Sequence, residues 1–117
     1  MSRWVEVASL EELRAAGHVV ARVDGREVGV VWDGERGTAH GVRNRCPHSG
    51  APLCLGRVRD REGGSPGAYA LTGRRVLRCP WHGWEFDLET GRCLDDDALR
   101  AAVYAVEVVG GVVRVNA

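Results

Sequence analysis

Two short segments of this chain each set a thiol and an imidazole within three residues of one another: Arg45-Cys46-Pro47-His48-Ser49-Gly50 and Arg78-Cys79-Pro80-Trp81-His82-Gly83. Thiolate and neutral imidazole are the donors that zinc and iron–sulfur centres take from proteins. C-x-H is too tightly spaced for ligands on one helix face, and both spacings suit a loop wrapped around a metal. In such a loop proline fixes φ and glycine lets the backbone come close. The order of ligands then discriminates between metals. A common zinc finger takes two cysteines from one element and two histidines from another, whereas here each segment mixes the two types.

In a Rieske centre two cysteines bind one iron and two histidines bind the other, so each loop has to serve both irons. C-x-H followed by C-x-x-H meets that requirement. The chain closely resembles the Rieske family, above all the short Rieske ferredoxins and the cluster domains of ring-hydroxylating oxygenases. The resemblance extends past the four donors. Cys46-Pro47-His48-Ser49-Gly50-Ala51-Pro52-Leu53 and Cys79-Pro80-Trp81-His82-Gly83-Trp84-Glu85-Phe86-Asp87, followed by Thr90-Gly91, reproduce both cluster loops and the hairpin after them. It covers about residues 44–55 and 76–94, and the flanks agree only in strand pattern. It implies one 2Fe–2S cluster, with Cys46 and Cys79 on the buried iron and His48 and His82 on the outer one. Gly50 and Pro52 would shape a lid. The spacer between the loops is longer than in the commonest short ferredoxins, and the excess lies in a Gly-rich stretch.

The kind of family member is also constrained. Rieske proteins of cytochrome bc complexes carry a loop-to-loop disulfide at the positions of Ala51 and Trp81, and hydroxyl side chains at those of Trp84 and Phe86; this chain has neither. A ring-hydroxylating catalytic domain needs a mononuclear iron held by two histidines and a carboxylate, and no room for one is expected within these 117 residues. The expectation is a one-electron carrier between a reductase and an oxygenase or related redox enzyme, not itself an enzyme. Pro47, Ser49, Pro80 and Trp81 would belong to a small transient docking surface around the exposed imidazoles. The alternative is a non-catalytic Rieske subunit whose cluster is structural or sensing within a larger complex. A zinc module is a third reading.

The remaining donors have blander readings. His18 and His40 lack ligand partners at matching spacing and read as surface or strand histidines. Cys54 and Cys93 read as packing residues, because a disulfide is disfavoured in a reducing compartment. Trp84 and Phe86 fit either shielding of the cluster or plain core.

The elements that must position these loops read as short apolar runs separated by turn signals, the pattern of an all-β domain, and the resemblance implies a Rieske-type antiparallel β-sandwich with a small cluster-binding subdomain. Residues 4–8 form a first strand. Ser9-Leu10-Glu11-Glu12 matches a capping box opening a short helix that ends near Gly17. Residues 19–23 and 27–32 flank Asp24-Gly25, a tight-hairpin dipeptide. A second hairpin runs from 84–88 through Glu89-Thr90-Gly91. A third runs from 104–109 through Gly110-Gly111 into 112–115. The stretch 57–75 carries glycines, a proline and little apolar periodicity, and is expected to be a long surface loop. The whole chain, 1–117, is expected to be one domain, with the cluster-binding subdomain at about 44–94.

Composition agrees with a globular domain, at 44% hydrophobic and 27% charged residues. Sixteen basic and sixteen acidic residues cancel, which argues against a nucleic-acid partner. There is neither a signal-like N-terminus nor an apolar run of about 18 residues, so a cytoplasmic protein without a membrane span is expected.

Overall fold

The computed structural model describes residues 3–63 and 70–117. The chain runs β1 (Trp4–Ser9), α1 (Leu10–Ala16), β2 (His18–Val23), β3 (Arg26–Asp33), β4 (Thr38–Arg43), a 3-10 turn (Leu53–Leu55), β5 (Arg57–Gly63), β6 (Ala70–Arg78), β7 (Glu85–Asp87), β8 (Val103–Tyr104), β9 (Val106–Val109) and β10 (Val112–Asn116). The strands form three antiparallel sheets, ordered β1-β10-β9, β2-β3-β4-β8 and β5-β6-β7. No helix among the described residues is long and apolar enough to cross a membrane.

The local signals near the N-terminus act as their chemistry dictates. The Ser9 hydroxyl accepts from the Glu12 N–H at 3.1 Å, and the Glu12 carboxylate accepts from the Ser9 N–H at 3.4 Å, which completes the capping box. Leu13 is the one residue of α1 that is buried. Asp24 and Gly25 both take positive φ, 49° and 80°, as the two-residue turn between β2 and β3 requires.

β3 carries the architecture. Its side chains alternate, and both faces are covered. Val28 and Val30 join Leu13, Val23, Val113 and Val115 in a core between the first two sheets. Val31 points the other way, into a second core with Val42, Leu77, Phe86 and the loop residues Cys46, Ala51, Leu53, Cys54 and Cys79. On that second face Gly29 meets Cys54: a Cβ there would collide with the Cys54 sulfur. Each buried valine contributes on the order of 1.5–3 kcal/mol of transfer free energy. Both cores therefore depend on one strand.

Asp33, at the end of β3, fastens the second sheet to the third. Its carboxylate is fully buried and accepts two hydrogen bonds from the Arg75 guanidinium on β6, at 2.8 and 2.7 Å. Arg75 also donates to Asp60, its cross-strand neighbour on β5, at 2.9 Å. Burial alone would raise the Asp33 carboxyl. The guanidinium of Arg75 and the N–H groups of Arg36 and Glu35 outweigh it and hold the carboxyl below its usual range.

Three expectations need correction. The stretch 57–75 is not a long loop: its described residues form the β5–β6 hairpin, and residues 64–69 lie outside the described residues. The hairpin is held by the cross-strand contact of Arg75 with Asp60 and by burial of Val76 and Leu77, which a search for apolar alternation does not detect. The run 104–109 is not one strand. Tyr104 pairs with β4 in the second sheet, Val106 pairs with β10 in the first, and the chain changes sheet at Ala105, whose carbonyl accepts from Asn116. The turn after β7 forms as expected, with Asp87 accepting from the N–H groups of Glu89 and Thr90, but beyond it the return side keeps a single bridge, Phe86 to Cys93.

Candidate metal centre

The two Cys/His segments become loops at one end of the third sheet and the second core, and both close in the same way. The Cys46 N–H donates to the Ala51 carbonyl at 2.8 Å, and the Gly50 N–H donates back to the Cys46 carbonyl at 2.8 Å. In the second loop the Cys79 N–H donates to Trp84 at 2.8 Å and the Gly83 N–H to Cys79 at 3.0 Å. The closing glycines take left-handed φ, 77° at Gly50 and 72° at Gly83, which other residues adopt only with strain. A Cβ at Gly83 would also stand 2.8 Å from the Arg78 guanidinium.

This closure sends thiols inward and imidazoles outward. Cys46 and Cys79 are buried at 1% and 2% exposure, whereas His48 and His82 are exposed. The two imidazoles approach edge to face, with ring centroids 5.2 Å apart. Trp84 stacks on His48 at 3.8 Å and 13°, so it packs against a candidate ligand as well as against the core. Phe86 is core, 2% exposed. Trp81 is 60% exposed.

Burial pushes the Cys79 thiol up. The N–H groups of Trp81 and His82, the Ser49 hydroxyl and the Cys46 thiol outweigh burial and bring it below its ordinary value. Ser49 Oγ lies 3.8 Å from Cys79 Sγ. Such N–H and O–H groups favour the thiolate that a metal needs. Cys54 is the contrast: burial pushes its thiol up to about 12, with Glu27 adding to the rise. All four thiols are free, and Cys54 and Cys93 are packing residues in the second core. His40 lies beside the Thr38 hydroxyl at 2.9 Å, and His18 lies in β2; neither joins the loops.

The loop donors fall into a thiol pair inside and an imidazole pair outside, a division that fits a binuclear group. Two irons with two protein ligands each match that division.

Sequence reasoning missed the residues that hold these loops. Asn44 takes the Cys54 N–H on its Oδ1 at 2.9 Å, gives its amide to Glu27 at 3.0 Å, and so ties the first loop to the 3-10 turn and to β3. Asp95 accepts the Glu85 N–H at 2.8 Å, and Arg61 bridges Glu85 and Asp95 at 2.9 and 3.3 Å, bracing the strand that leaves the second loop. Their polar types were visible, but their partners lie 10 to 34 residues away.

Comparison with known proteins follows the same lines. A proposed NADH-dependent nitrite reductase small subunit from Mycobacterium tuberculosis superposes with a TM-score of 0.82 at 28% identity, covering 100% of this chain and 96% of its own. The ferredoxin of carbazole 1,9a-dioxygenase from Nocardioides aromaticivorans IC177 superposes with a TM-score of 0.72 at 30% identity, covering 97% of both chains. The oxygenase subunit of 3-chlorobenzoate-3,4-dioxygenase from Comamonas testosteroni is 33% identical over 96% of this chain, which spans only 25% of that subunit. The chain also spans just 13% of the oxidoreductase NdmD of Pseudomonas putida, at 32% identity. The family profile of the Rieske-like [2Fe-2S] domain matches residues 3–116, nearly the whole of the described fold and both Cys/His loops. With the paired loops, the antiparallel sheets and this match in agreement, the chain belongs to the Rieske-like [2Fe-2S] domain family.

Proposed function

We propose that the chain is a one-electron carrier whose 2Fe–2S cluster is held by Cys46 and Cys79 on one iron and by His48 and His82 on the other. When bound, the cluster takes up and gives back one electron at a time. The carrying observation is the division made by the loops: thiols are buried, and imidazoles stand exposed where a partner can reach them. Likeness to a ferredoxin over 97% of both chains supports transient service between a reductase and an oxygenase or related redox enzyme. In that role the chain delivers electrons and does not itself turn over substrate. The likeness to a nitrite reductase small subunit favours a second reading, a resident subunit of a larger complex.

Iron and sulfide analysis should give about two of each per chain in a coloured protein. Reduction by a flavin reductase and rapid reoxidation by an oxygenase component, with neither forming a lasting complex, is the expected result for a carrier. A colourless zinc protein sinks the proposal, and a stable stoichiometric complex moves it to the second reading.

The potential is expected toward the bottom of the roughly −150 to +300 mV range of Rieske centres. Trp84 and Phe86 offer no hydroxyl where high-potential relatives donate to cluster or ligand sulfur. Reduction adds negative charge, so each missing donor withdraws a preference on the order of 1 kcal/mol, or several tens of millivolts in a one-electron couple. Phe86→Tyr should raise the potential in a redox titration; a fall with the cluster intact refutes the assignment.

A further inference from the structure

All sixteen basic side chains of this chain are arginines. Half of them have a carboxylate within 4.0 Å, spread over the sandwich and the β5–β6 hairpin. Most of the others collect at one place. Arg22, Arg26, Arg43, Arg45, Arg57 and Arg78 gather at the end that carries the Cys/His loops, and none has a carboxylate that close among the described residues. Arg45 and Arg78 immediately precede Cys46 and Cys79, and Arg57 is the cross-strand partner of Arg78.

Four of the six line a single cleft. Arg22, Arg26, Arg43 and Arg45 surround about 280 Å³ of open space whose floor and wall include Gly50 and Pro52 of the first loop. Glu27 is the one carboxylate lining it, and that group accepts a hydrogen bond from Asn44. The chain has no Asp or Glu from 36 to 59 or from 63 to 84, the two stretches that contain the loops. A chain with formal net charge +0 is therefore strongly asymmetric, with excess positive charge beside the exposed imidazoles. Like charges held together repel, so this concentration does not serve the fold. It draws in negative charge and orients an encounter. Guanidinium groups suit carboxylates in particular, through paired N–H donors. Exposed Leu55 of the 3-10 turn and Trp81 of the second loop, at 55% and 60%, offer apolar contact as well.

We propose that the Arg22/Arg26/Arg43/Arg45 cleft, extended by Arg57 and Arg78, is the docking site for a carboxylate-rich segment of the protein that exchanges electrons with the loop end. This inference rests on the carrier reading, and its test separates the two. The reduced protein is mixed with ferricyanide, a trianion, or with tris(phenanthroline)cobalt(III), a trication. Each accepts one electron from the protein, and no bond or proton changes hands. The ferricyanide rate is expected to fall as ionic strength rises, and the cobalt rate is not. Arg22→Glu/Arg43→Glu should slow ferricyanide about tenfold, with potential and visible spectrum unchanged. Arg14→Glu/Arg100→Glu makes the same charge change at two arginines that do not line the cleft and have no carboxylate within 4.0 Å among the described residues, and should slow it far less.

A second readout needs no electron transfer. Redox-inert hexacyanochromate(III) should broaden the amide NMR signals of residues 22–27 in the wild type and not in Arg22→Glu/Arg43→Glu. A hexaglutamate peptide should relieve that broadening more than inorganic phosphate does at equal ionic strength. Equal slowing by both double variants, or no broadening at 22–27, overturns the docking site. Equal competition by phosphate overturns the protein partner in favour of a small-anion site. Failure of both oxidants while broadening persists counts against the carrier reading and leaves the cleft standing.

Discussion

Replacement of His82 by alanine is expected to leave the purified chain nearly colourless, with iron and acid-labile sulfide falling from about two per chain to near zero. The size of the effect follows from the way the loops divide their donors. Each iron takes two protein ligands, and neither loop holds a spare. The nearest other imidazole, His48, is already committed in this scheme, and Cys54 and Cys93 are packed in the core rather than in the loops. His48→Ala should fail in the same way, and it also strips Trp84 of its stacking partner. His18→Ala and His40→Ala remove the same ring from β2 and β4 and should keep full iron content. Iron and sulfide assays with visible and EPR spectra measure all four variants. Full retention in His82→Ala, or equal loss in His40→Ala, removes His82 from the ligand set.

The second large effect is expected on stability. Arg75→Met leaves Asp33 with a fully buried carboxylate that has lost its ion pair, and breaking a buried pair in this way costs about 3–5 kcal/mol. Asp60 loses its cross-strand partner at the same time. The sign with pH can be worked out. In the wild type the Asp33 carboxyl lies below its unfolded value, so its contribution is fully present above that value and is lost as pH falls through the folded one. In Arg75→Met only the N–H groups of Arg36 and Glu35 still oppose burial, so the folded carboxyl rises from its wild-type position. The gap between the proteins is therefore widest near neutral pH and should narrow as pH falls toward the unfolded carboxyl value of about 4. Urea midpoints of both at about pH 7 and about pH 4 read this directly. A variant within 1 kcal/mol of wild type at pH 7 would mean that the pair adds little, as exposed pairs do.

The donors of the candidate centre were legible because their chemistry is local: a thiol, an imidazole, a proline and a glycine within six residues say what a loop can do. The capping box at Ser9 and Glu12 and the Asp24-Gly25 turn were legible for the same reason. What escaped was non-local. Arg57–Gly63 and Ala70–Arg78 look unsuited to a sheet because arginines, acids and glycines alternate poorly, yet Asp60 opposite Arg75 joins them as a hairpin and Arg61 ties β5 to Glu85 of β7. The change of sheet at Ala105 is equally silent, since both halves of the run alternate as strands and only the partners differ. Asn44 and Asp95 look like ordinary loop residues until their distant hydrogen bonds are known. Trp84 and Phe86 were ambiguous as a pair, and they resolve differently: one stacks on His48, the other fills the core.

β3 has no face turned to water along Val28, Gly29, Val30 and Val31, and it supplies side chains to both cores. A strand in that position cannot detach from the sandwich while remaining in the loop-bearing half, so partial opening of either half costs nearly as much as opening the whole. The two halves are then expected to melt as one cooperative unit, with the β3 amides exchanging with solvent hydrogen only as fast as the entire fold comes apart. In the proposed carrier role the loop end would then meet successive partners without loosening, because its foundation would have no separate, weaker unfolding route.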